Sequence, residues 1–87
     1  MTTLGIVVTV SVFTAGLAIA VGGYGPARGQ GQALAQALDA IARQPDESDK
    51  IRSTLFVGMA MVESTAIYAL VVALIILFAN PLLELVK

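Results

Sequence analysis

The chain has 87 residues, 57% of them hydrophobic and 13% charged, with no Cys, His or Trp and a formal net charge of -1. Without Cys or His there is no thiol chemistry, no disulfide and none of the usual zinc or haem ligands, and the net charge offers no basic field for nucleic acid. What remains is a membrane composition in a chain too short to enclose a pathway by itself, so a homo-oligomer in membrane lipid is expected.

The first predicted element begins with LGIVVTVSVFTAGLAIAV, residues 4–21, an uncharged run of membrane-helix character. Ala18-Ile19-Ala20 resembles a signal-peptide cleavage site, but no Lys or Arg precedes the run and a small-residue helix continues it. A retained helix is therefore expected rather than a cleaved leader.

GGYGPARGQGQALAQALDAIARQ follows, with small residues at nearly every second position. In water this is a poor helix, but in a membrane small residues let backbones approach closely, so tight helix-on-helix packing is predicted in preference to a flexible loop. Gly23-x-Gly25-x-x-x-Gly29 has the wrong spacing, and a proline inside it, for a dinucleotide-binding turn. Pro26 cannot donate an amide proton, which predicts a bend near it.

Arg43-Gln44-Pro45-Asp46-Glu47-Ser48-Asp49-Lys50 is the one strongly polar segment and reads as a hairpin tip. Pro45 stops the first helix, and the acidic residues suit the start of the second. The expected layout is a transmembrane helix over about 4–43, a loop over about 44–49, a second transmembrane helix over about 50–79 and a tail over 80–87. Arg43, Lys50 and Arg52 cluster at the tip while Lys87 lies at the other end, which makes the loop cytoplasmic and puts both termini outside.

Inside the second span lies one ionisable residue, Glu63. An acidic side chain at a membrane centre costs roughly 2.5 to 3.5 kcal/mol, so such residues face protein or water and mark ion or proton routes. Gln30 and Glu63 straddle the tip symmetrically, so they share a depth on antiparallel helices and are expected to form one site. Ser64 diverges from Glu63 by about 100° around the helix and cannot face the same Gln30. A site shared between copies solves this, with one copy giving Gln30 and Glu63 and its neighbour giving Ser64 and a backbone carbonyl. Such oxygens suit an alkali cation or a protonated carboxyl network.

Three segments together are specific: Gly23-Tyr24-Gly25-Pro26-Ala27-Arg28-Gly29-Gln30-Gly31, Ala42-Arg43-Gln44-Pro45, and Glu63-Ser64-Thr65-Ala66-Ile67-Tyr68 with the later Phe78-Ala79-Asn80-Pro81. In this order the chain resembles the c-subunit, the rotor-ring proteolipid of F-type ATP synthases, across essentially its whole length. The resemblance implies an all-α membrane protein, a two-helix transmembrane hairpin that assembles into a homo-oligomeric ring with first helices inside. It implies no catalysis by the chain itself and no cofactor, only a coupling ion, Na+ or H+, carried on Glu63 past the a-subunit. By matching motif positions, Gln30, the Met61 carbonyl, Glu63 and Ser64 resemble a sodium-binding set, Thr65 the residue that holds a water there, and Tyr68 a hydrogen-bond partner of the carboxylate. Na+ is slightly preferred on that motif.

Arg43, Gln44 and Pro45 resemble the contact to the central-stalk gamma and epsilon subunits, and the implied location is a bacterial plasma membrane. The segment Val62-Glu63-Ser64-Thr65-Ala66-Ile67-Tyr68 also resembles a subclass regarded as ATP-driven ion exporters with large rings. Two residues depart from the family pattern. Met61 replaces a smaller residue, and Arg28 stands where a small or apolar residue is normal; of its readings, lumenal snorkelling is preferred to perturbation of the ion site and to pairing with Asp39, which lies ~16 Å away along the helix. The competing function class is a small stand-alone hairpin transporter or pore with Glu63 as its exchange carboxylate.

Overall fold

The computed structural model describes residues 2–86; Lys87, the basic residue assigned above to the far end, lies outside the described residues. Helix α1 spans Thr3–Arg43, helix α2 Ser48–Phe78 and a short helix α3 Leu82–Val86, with a 3-10 turn, Pro45–Glu47, between the first two.

Each boundary has a local cause. The Thr2 hydroxyl accepts the Gly5 amide at 3.0 Å and caps α1. At the other end Pro45 disfavours helical geometry at the preceding residue, and Gln44 sits at φ -134, ψ 70. Pro26 lies inside α1 without interrupting it. Two boundaries differ from the sequence reading. The second helix starts at Ser48 because the proline-led 3-10 turn feeds into it directly. The segment read as a tail contains α3, since the Asn80 side-chain oxygen accepts the Leu82 amide at 3.0 Å and starts a new helix.

The two long helices pack antiparallel into a slab of 64 × 17 × 10 Å. Its length is about twice the ~30 Å hydrocarbon core of a bilayer, so the tip and part of both helices stand in headgroups or water. At Gly22 the helices approach closely: an added Cβ would lie 2.6 Å from the Ala69 Cβ. Among the described residues only Ala15 and Ala73 are buried, at 2% and 4% exposure. A soluble protein could not leave nearly all of its Leu, Ile, Val and Phe uncovered, so lipid and further copies must cover them.

The glycines point the same way. Gly16, Gly23, Gly25, Gly29 and Gly31 have nothing within 4 Å of an added Cβ. Only Gly22 of this set serves the fold of one hairpin; the others offer close approach to something outside it.

Candidate functional site

Glu63 is the middle residue of α2, with fifteen residues of the helix on either side. Its depth is fixed by the register of the hairpin: Gly22 meets Ala69, Ser11 meets Asn80, and Gln30 meets Glu63, each pair straddling the Pro45–Asp46 tip. Gln30 donates through Nε2 to the Glu63 Oε2 at 2.7 Å and to the Met59 carbonyl at 3.2 Å. Using both amide protons on α2 orients the side chain and leaves its carbonyl oxygen as a potential ligand. The Met59 contact has no sequence signal, because any helix carbonyl of that face would serve.

Glu63 nevertheless remains exposed on the flank of the hairpin, with Gln30 as its hydrogen-bond partner. A carboxylate covered on one side only is incomplete in a membrane, because uncompensated charge in hydrocarbon carries a large desolvation cost.

Ser64 does not join Glu63. Its hydroxyl donates to the Met61 carbonyl at 2.6 Å, one turn back on the same helix. Ser64 and Met61 thus form a pair of adjacent oxygens on a different face from the Gln30–Glu63 pair. Thr65 and Tyr68 are exposed, Tyr68 at 69%, and among the described residues neither is hydrogen-bonded to Glu63. A single chain therefore brings Gln30 to Glu63 and, separately, the half-buried Ser64 to the Met61 carbonyl, and leaves Thr65 and Tyr68 exposed.

At the tip, Arg43, Gln44 and Pro45 are all exposed. Arg43 donates to Asp39, Lys50 lies 3.7 Å from Glu47 and Arg52 lies 3.5 Å from Asp49. Asp39 thus pairs with Arg43 and not with Arg28. Arg28 donates instead to the Tyr24 hydroxyl at 3.2 Å, because one turn separates those two residues whereas three separate Arg28 from Asp39.

A third polar contact was not anticipated. Asn80 Nδ2 donates to Ser11 Oγ at 2.8 Å and ties the ends of the helices together far from the tip. Its sequence signal was the same symmetry about the tip that links Gln30 to Glu63.

Two membrane-length helices, a central carboxylate half-covered by its own hairpin, and glycines open to outside contact define a class: membrane hairpin proteins that work in several copies. Comparison with known proteins narrows this. The sequence model of the ATP synthase c-subunit family matches residues 13–76. The chain is 54% identical over 71 residues to ATP synthase c-subunit 2 of Cereibacter sphaeroides, covering 82% of this chain and 86% of that protein. It is 55% identical over 71 residues to the ATP synthase c-subunit of a Synechococcus species, covering 82% and 88%. It is also 56% identical over 71 residues to the chloroplastic ATP synthase c-subunit of Emiliania huxleyi, covering 82% and 87%. The chain belongs to the ATP synthase c-subunit family and is a non-catalytic membrane component of the Fo sector, a hairpin of an oligomeric ring.

Proposed function

We propose that Glu63 carries the coupling ion, Na+ or H+, from one side of the a-subunit to the other as the ring turns, linking ion transport to ATP synthesis or hydrolysis. The observation that carries this reading is the Gln30–Glu63 hydrogen bond of 2.7 Å, at the middle of α2 and open on one flank. An ion neutralises the carboxylate while it faces lipid, which removes the cost of moving bare charge through hydrocarbon. Release against the a-subunit restores the charge. A membrane potential contributes about 2.3 kcal/mol per ion per 100 mV.

The neighbouring copy completes the site. Its Ser64 hydroxyl and Met61 carbonyl, already adjacent at 2.6 Å, supply two hard oxygens, with the Gln30 carbonyl oxygen and Glu63 from the first copy. This set favours Na+ over H+, which needs fewer ligands. Thr65 holds a water at the site and Tyr68 donates to the carboxylate across the copy boundary. First helices line the inside of the ring. The exposed Arg43, Gln44 and Pro45 meet the gamma and epsilon subunits at the cytoplasmic tip, both termini lying outside a bacterial plasma membrane.

The test is carbodiimide labelling of the purified oligomer at mildly acidic pH, with and without Na+, followed by mass spectrometry of the modified peptide. Labelling at Glu63 that Na+ suppresses is the expected result. Labelling unaffected by Na+ makes the ring proton-coupled and removes Ser64 from the site. No labelling at Glu63 overturns the ion-carrier role.

A further inference from the structure

The two flanks of α2 differ in shape. Phe56, Ala60 and Glu63, spaced four and three residues apart, lie on one flank, with Phe56 about two turns tipward of Glu63. Thr54, Gly58 and Met61 repeat that spacing on the other flank, because two residues, or about 200°, separate Gly58 from Phe56 and Met61 from Glu63. The first flank is convex: its phenyl ring is 61% exposed, left largely uncovered by its own hairpin.

The second flank is concave at the same level. Three hollows of about 430, 420 and 240 Å³ share Thr54, and the largest is walled by Ala33 and Ala37 of α1 with Leu55 between the helices. Gly58 edges the two smaller ones, and a Cβ added to it would meet nothing within 4 Å. Position 56 falls between 54 and 58, so the projecting ring and the hollow lie within ~3 Å of one level along the helix axis.

In a ring of identical copies one flank of each copy faces the opposite flank of the next, and the symmetry keeps equivalent residues at one depth. The shared site proposed above sets Glu63 of one copy against Met61 of the next. Seven residues tipward of these two stand Phe56 and Thr54. A step of seven residues is nearly two whole turns and preserves the facing, so the arrangement that completes the ion site also carries the ring of Phe56 to the hollow beside Thr54.

We infer that Phe56 of one copy seats in the hollow beside Thr54 of the next and fixes the spacing at which that neighbour's Ser64 hydroxyl and Met61 carbonyl reach Glu63. Phe56 touches no ion; it is a positioning residue, and the inference rests on the shared-site reading of Glu63. A phenyl ring in a hollow of Ala, Gly and Leu gains dispersion contacts, a main source of attraction between helices in lipid, where burial of apolar surface supplies little. A second copy is favoured over an acyl chain as the occupant because the hollow continues the Thr54–Gly58–Met61 flank, which the proposed site already sets against that copy.

The test uses the intact ring carrying p-azidophenylalanine in place of Phe56, irradiated, with the cross-linked dimer mapped by mass spectrometry. The expected attachment is to residues 54–58 or 33–37 of a second copy. Attachment to lipid alone, or to another part of the neighbour, overturns the seat. Positioning is read from the Na+ concentration that halves carbodiimide labelling of Glu63. It should rise about tenfold in Phe56→Ala, the low end for losing a support behind metal ligands, and stay near wild type in Phe56→Leu. An unchanged Na+ requirement in Phe56→Ala overturns the positioning role. If Phe56→Ala does not assemble, Gly58→Leu fills the hollow instead, its added Cβ meeting nothing in its own hairpin. The Na+ requirement should then rise in that variant, and equality with wild type overturns the role. A wild-type ring whose labelling ignores Na+ sinks the sodium reading of Glu63, and the seat then stands or falls on the cross-link.

Discussion

Polar side chains join the two long helices at two levels of opposite character. At the far end Asn80 donates to Ser11 at 2.8 Å and accepts from the Leu82 amide at 3.0 Å, so both ends of one amide are used within the chain. In the middle Gln30 donates to Glu63 at 2.7 Å, and the carboxylate is otherwise left on an open flank. Both pairs obey the same register, and the difference is in what remains unsatisfied. A neutral, part-buried pair closed on itself contributes to holding the helices together. A charged pair with unused oxygen lone pairs asks for something more, an ion or another copy.

Substitutions separate those two roles. Glu63→Gln should have the largest effect: ion-driven ATP synthesis in proteoliposomes falls to background while the ring keeps its mass in native mass spectrometry. Persisting synthesis would show that the central contact is as structural as the terminal one. Gly22→Val places a branched side chain where even a Cβ would meet Ala69 at 2.6 Å. Overpacking of this kind costs about 1 to 3 kcal/mol, and the ring's thermal dissociation temperature should fall, with partial recovery in the double variant Gly22→Val, Ala69→Gly. A fall with no recovery would mean that the damage lies between copies instead.

Asn80→Ala should have the smallest effect. Interhelical hydrogen bonds in membranes average about 0.6 kcal/mol and a lost helix cap costs ~1 kcal/mol, so dissociation shifts slightly while ion-driven synthesis is unchanged. A transport defect in this variant would dissolve the distinction between the two contacts.

Much of this was legible in the chain. Pro45 between two apolar runs fixes where the hairpin turns, and the turn fixes which residues share a depth, so the meeting of Gln30 with Glu63 follows from counting alone. The same counting linked Ser11 to Asn80, but two neutral polar residues near helix ends raise no energetic alarm, whereas an intramembrane carboxylate does. The contact between Arg28 and Tyr24 was hidden for another reason: a lone arginine suggests the search for an opposite charge, and a phenol one turn away was the nearer partner.

The sequence by itself determined the two membrane-length helices, their register and the carboxylate at their middle, because hydropathy, proline and charge act locally and each is visible residue by residue. Only the tertiary structure decided how the rotations of the two helices divide the polar groups. It turns Gln30 toward Glu63, folds the Ser64 hydroxyl back onto the Met61 carbonyl, and leaves Arg28 and most of the glycines facing outward. Which side of a helix faces its partner depends on the fit of two whole surfaces, the approach of Gly22 to Ala69 among them, and no single position in the chain encodes it.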